Sequence, residues 1–142
     1  VDPAFSPDGR FVAYVSADSG EVELWVRPFP GPGGKWKVSS SGGQFPAWSA
    51  AARELLFMAM DDRLMAVNYT MEGDSFSAGT PRVWSPVKIR RIGVQLNFDV
   101  SPDGKQVAMF PYPEIEAKGG SLHATVLLNF FDEVRRRVPL SR

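Results

Sequence analysis

FSPDGRFVAYVS, residues 5–16, joins a polar corner, Ser6-Pro7-Asp8-Gly9, to an almost unbroken apolar run from Phe11 to Val15. Pro7 presets φ for the first turn position, Asp8 can bond the backbone, and Gly9 takes a left-handed conformation at little cost. A strand with no polar alternation, placed straight after such a corner, predicts a β-strand covered on both faces. The same combination recurs. WSAAARELLFMAM runs from Trp48 and VSPDGKQVAMF from Val100, so that Ser6, Ser49 and Ser101 are equivalent. They lie roughly forty to fifty residues apart, the period of a four-stranded sheet repeated as a unit.

Strands can be placed within each unit. The first holds DPAFS, RFVAYVS, EVELWVRPF and KWKVSS; the second holds FPAWS, ELLFMAM, RLMAVNYT and PRVWSP. The third holds LNFDVS, QVAMFPY and HATVLLNFF, and then the pattern changes. NFFDEVRRRV has helical spacing, with Phe131, Val134 and Val138 on one face and Asn129 as an N-cap candidate. The expected fold class is therefore all-β, built of β-propeller repeats: about three four-stranded blades, the last incomplete, with a short C-terminal helix. As a single partial propeller over 1–142, the division is blade 1 at about 2–44, blade 2 at about 45–86, a linker at 87–94, blade 3 at about 95–129 and the helix at about 130–138. The second corner departs from the others, with Ala50, Ala51 and Ala52 where Pro, Asp and Gly are expected. If Ala52 is left-handed the cost is about 1–2 kcal/mol, and Ala51→Asp with Ala52→Gly is expected to recover part of it.

Composition narrows the function. With 142 residues, 44% of them hydrophobic, the chain can bury a core as one domain. Sixteen basic and sixteen acidic residues cancel, so charge offers no reason to expect nucleic acid or an anionic membrane as partner. There is no cysteine, which removes disulfide and thiolate chemistry. No apolar run approaches the roughly 20 residues that span a bilayer. VDPAFSPDG lacks Met and opens on a strand-like segment, which reads as the cut end of a longer protein, whereas RRRVPLSR reads as a natural terminus.

The repeated FSPDGR, WSAAARELLF and VSPDGKQVA resemble the TolB-type, WD-repeat-like β-propeller over essentially the whole chain. The ending VLLNFFDEVRRRVP resembles the C-terminal end of such propellers in multidomain bacterial proteins, where the propeller often follows a eukaryotic-like serine/threonine protein kinase domain and a membrane segment. That resemblance implies a ligand-sensing part of a receptor-like kinase, periplasmic or otherwise extracytoplasmic. Kinase activity is not implied for this chain, which has no Gly-rich loop or catalytic Asp motif.

The candidate chemical groups read as structural. His123, the one histidine, has no Gly-x-Ser-x-Gly elbow for company and reads as a strand-edge residue. Asp61-Asp62 and Glu114/Glu116 lack calcium-loop spacing and read as solvated turns. Asp8 and Asp103 recur because the corner uses them. Lys88–Gly93 (KIRRIG) and Arg135–Arg137, with Trp36, Trp84 and Tyr112 nearby, offer an anion patch but read as a solvated loop and helix face. Trp25, Trp36, Trp48 and Trp84 offer a carbohydrate platform, yet the equivalence of Trp48 with Phe5 favours packing between blades. GPGG at 31–34 is a hairpin loop with no helix after it, and so no phosphate loop.

No catalytic, cofactor or metal residue is assigned. The expected function is a non-catalytic interaction or sensory module that binds a protein or small ligand at the blade-top loops. The alternatives are a substrate-gating or accessory propeller of a prolyl oligopeptidase-like hydrolase, and an assembly unit without ligand. Three blades in a row leave open apolar faces at both ends, so self-association is expected, two half-rings completing a ring about a two-fold axis.

Overall fold

The computed structural model describes residues 2–93 and 97–112. The third strand of the last unit, the C-terminal helix at about 130–138, His123, Glu114/Glu116 and Arg135–Arg137 lie outside the described residues, as do 94–96 of the expected linker. Within the described residues the chain is all-β, and every sheet is antiparallel.

The first sheet contains β1 (Ala4–Phe5), β2 (Phe11–Ser16), β3 (Glu23–Pro28) and β4 (Trp36–Lys37), side by side in chain order. The second is built on β5 (Gln44–Ser49), β6 (Glu54–Met58) and the long β7 (Arg63–Glu72). From Tyr69 onward, β7 turns back into β8 (Ser75–Ala78) as a hairpin. Its first residues, from Arg63 to Ala66, instead pair with β9 (Arg82–Lys88), the outer strand. The third unit shows β10 (Phe98–Val100) against β11 (Val107–Met109). The hairpin β7–β8 is an addition that the sequence reading did not anticipate. Its signal was the Gly73-Asp74 dipeptide between two β-rich runs, a pairing suited to a two-residue loop.

Two cores separate the units. Phe11, Ala13, Val15, Leu24 and Val26 of the first sheet meet Leu55, Phe57, Val67, Tyr69 and Phe76 of the second. On its opposite side the second sheet buries Leu56, Met58, Leu64 and Ala66 against Phe98, Val107 and Met109. The middle sheet is thus covered on both faces, and all five side chains of β6 are buried. The equivalent strand β2 behaves differently: Phe11, Ala13 and Val15 are buried, whereas Val12, Tyr14 and Ser16 are only half-buried. The expectation that FVAYV lacks a solvent face is corrected here, because within the described residues no sheet covers that side. Stacking of consecutive sheets is what the fold shows. The described sheets do not close into a ring.

The first interface is dominated by rings. Trp48 meets Tyr69 edge-on at 4.9 Å, and Phe76 lies about 6 Å from each of Phe11, Trp36, Trp48 and Tyr69. Trp48 also donates its Nε1 hydrogen to the Ala4 carbonyl (2.9 Å), fixing the second sheet to the inner strand of the first.

The corners at Ser6 and Ser101 are copies of one another. In each the serine hydroxyl donates to the aspartate two residues on (2.6 Å) and accepts the amide hydrogen of the fifth residue on (3.0 Å). Gly9 and Gly104 donate their amide hydrogens to the Ser6 and Ser101 carbonyls (2.8 and 2.9 Å) and have φ of 71° and 72°. The Ser6 hydroxyl is the main reason that the Asp8 carboxyl is lowered to about 2, with Arg10 adding to it against the effect of burial.

The Ser49 corner has the same length but another shape. The closing bond runs from the Arg53 amide to the Ala50 carbonyl (3.3 Å), and Arg53 is the left-handed residue, at φ 52°. Ala52 therefore does not carry the penalty expected for it. Without Asp at position 51, no carboxylate holds the serine hydroxyl, and the turn moves one residue along.

The stretch expected as linker begins inside β9, which runs to Lys88, and Ile89 beyond it is wholly buried. Ile89 bridges to Pro111, and the Arg90 amide donates to the Phe110 carbonyl (2.7 Å). Lys88, Arg90, Arg91 and Ile92 are exposed, as in a solvated loop, but Ile89 and the backbone staple the third unit to the second.

Candidate functional site

The loops 17–22, 38–43, 59–62 and 89–93 share one end of the stack, because antiparallel order returns every second connection to the same side. Two adjoining grooves of about 340 and 520 Å³ lie there. Ser40, Ser41, Gly42 and Met60 border both. β4 is only two residues long, so the first sheet stops short of the outer part of the second. Half-buried Met65 and Pro81 form the apolar floor there, over the buried Phe57, and Asp61 and Arg63 form one wall. Glu21 and Val22 border the second groove.

The shared rim is held from behind by a buried charge. Glu23, at the start of β3, has no exposed surface. Lys37 Nζ sits 2.6 Å from its Oε1, the Ser39 hydroxyl donates to Oε2, and the Gly42 amide donates to Oε2 (3.1 Å). Burial pushes the Glu23 carboxyl up, but Lys37, Ser39 and the Gly42 amide together pull it below the ordinary value. Ser39 also accepts the Leu24 amide hydrogen (2.8 Å), and Gly43 donates to the Val22 carbonyl (3.2 Å). The run Ser39-Ser40-Ser41-Gly42-Gly43 is thereby stitched onto β3.

Both glycines sit where space is tight. A β-carbon on Gly42 would lie 2.3 Å from Met60 Cγ, on a residue with φ of 82°. One on Gly43 would lie 3.0 Å from both Phe57 and Ser39. Sequence reasoning passed over this loop; its signal was a small-residue run after an acidic residue that falls within a strand.

On the far side, Asp61 and Asp62 occupy the β6–β7 turn, but each is engaged. Asp61 pairs with Arg63 (2.7 Å), whose contacts lower its carboxyl against the opposing effect of burial. Asp62 pairs with Arg91 and accepts the Tyr112 hydroxyl (3.1 Å). Arg91 in turn donates to Gln44 (2.9 Å) and to the Met60 carbonyl (3.3 Å), so this one cation of KIRRIG braces the turn. Among the described residues, no group of three or more His, Cys, Asp or Glu is gathered that would hold a metal. Trp36 and Trp48 pack in the first core and Trp84 in the second; Trp25 lies on the outer face of the first sheet, with Lys35 Nζ 4.9 Å from its ring centre.

The grooves thus combine an apolar floor, serine hydroxyls and exposed backbone on a fixed loop, and ion pairs at the margin. They suit the binding of an amphipathic molecule. Among the lining residues, no nucleophile is paired with a base. No family model matches the chain, and no curated protein matches it either.

Proposed function

We propose that the chain is a non-catalytic interaction or ligand-sensing module of the propeller-repeat type, and that its ligand site is the double groove around Ser40–Gly42 and Met60. What supports this is the way Glu23 fixes the rim: a wholly buried carboxylate holds β4 through Lys37 and the loop after it through Ser39 and Gly42. Rigid presentation of a loop is what a binding site needs and what a plain connection does not. The groove takes an extended peptide segment or a small amphipathic molecule, with an apolar group on Met65 and Pro81 and polar groups toward the serines. The propeller reading is supported by three successive antiparallel units packed through opposite faces.

The test is to screen short peptides and small amphipathic fragments against the isotope-labelled chain by amide chemical-shift mapping. Binders are expected to shift Ser40–Gly42 and Met60–Arg63, and Ser41→Arg is expected to abolish those shifts while leaving the rest of the spectrum intact. Binders that map consistently to another surface would reject the site. Hydrolysis above background that disappears in His123→Ala would reject the non-catalytic reading.

A further inference from the structure

Each unit presents one face backward and another forward. Counting from the corner serines, Phe5, Val12 and Tyr14 are equivalent to Trp48, Leu55 and Phe57 of the second unit and to Val100, Val107 and Met109 of the third. In the second and third units these positions form the face turned toward the preceding sheet. The face turned toward the following sheet is formed by Ala13 and Val15 in the first unit and by Leu56 and Met58 in the second. Stacking is therefore directional, a backward face always meeting a forward face.

The first sheet's backward face is uncovered. Phe5 and Phe29 are 55% and 50% exposed and meet edge-on at 4.9 Å, with Val12, Tyr14 and Trp25 half-buried beside them. The third unit's forward positions are Ala108 and Phe110, both exposed, with Phe110 at 53%. Among the described residues, the backward face carries Arg27, Lys35 and Lys37, the last paired with the buried Glu23, and the forward face carries Asp99 on β10 with Arg90 across from Phe110.

We propose that the backward face of the first sheet docks the forward face of the third unit of a second copy. Two such contacts, related by a two-fold axis, close the assembly. The occupant follows from the chain's own pattern: the aromatic positions left open are those that already bind a forward face at the internal junctions.

The test is sedimentation at high micromolar concentration of the chain, of Phe5→Asp and of Phe110→Asp, each checked for native circular dichroism. The unaltered chain is expected to dimerise, and either substitution at these exposed sites is expected to weaken the dimer about tenfold or more. In an equimolar mixture of the two variants, one junction keeps both faces and the other carries both substitutions, so a one-to-one dimer weaker than the parent's is expected. A monomeric parent chain would overturn the proposal. So would a Phe110→Asp variant that dimerises as before, which would mark a contact between like faces.

Discussion

β2 and β6 carry the same kind of apolar run after the same kind of corner, yet β6 is buried on both sides and β2 on one. The difference does not lie in the strands. It lies in what is stacked against them: the second sheet has neighbours on both faces, and the first has one. An uninterrupted apolar run therefore reports the capacity to be covered twice, and whether it is covered depends on the neighbours.

The sharpest way to break the comparison is truncation at one equivalent position. Phe57 and Tyr14 occupy the same place in their units, but Phe57 is buried between two sheets and Tyr14 is half-buried on the open face. Phe57→Ala is expected to cost about 3–5 kcal/mol in denaturant unfolding, and Tyr14→Ala less than about 1.5 kcal/mol. Equal losses would mean that the open face is covered in solution, and dilution would then restore the difference.

The corners offer the next contrast. A β-carbon on Gly104 would lie 2.5 Å from Ser49 Oγ and 2.9 Å from Ala52 Cβ, whereas one on Gly9 would meet nothing within 4 Å. Both glycines are left-handed, so both alanine variants are strained. Gly9→Ala is expected to cost about 1 kcal/mol, and Gly104→Ala about 2–3 kcal/mol, because the third corner leans on the second.

Smaller still is the effect of relieving Arg53. Arg53→Gly removes a left-handed penalty but frees the unfolded chain, for a net gain of less than about 1 kcal/mol in thermal unfolding. Ala51→Asp with Ala52→Gly is expected to give no comparable gain unless the corner reverts to the form of the other two. Raised stability in that double variant, with no effect of Arg53→Gly, would show that it does.

The least effect concerns acid. The Asp8 carboxyl is lowered to about 2 from an ordinary 3.8, so its contribution is full above that ordinary value and fades as pH falls toward 2. Asp8 is partly exposed and the loss is modest. Melting temperatures between pH 4 and 2 are expected to fall less steeply in Asp8→Asn; an unchanged slope would remove Asp8 from the account.

The corners were legible because their shape is written in side chains: Ser, Asp and Gly each supply one local bond or one permitted φ. The strand order of the first two sheets was legible from apolar runs and spacing. Two features were not. Phe76 joins the aromatic core from β8, a short hairpin strand whose Ser-Phe-Ser-Ala sequence holds one large side chain. Glu23 interrupts an apolar pattern for a reason that becomes visible only when Lys37, Ser39 and Gly42 arrive from later in the chain. The candidate groove depended on that second feature, so the sequence reading reached the loops at that end of the stack without singling out Ser39–Gly43.

The outer strand β9 has a consequence for how this molecule can misassemble. Pro86 has no amide hydrogen, and the Val87 amide is already given to the Ser85 hydroxyl (3.2 Å). Two successive donors of the strand are thus withheld from any intruding chain, and Lys88 follows with a charge. Fibril-like growth by strand addition finds a poor template on this margin.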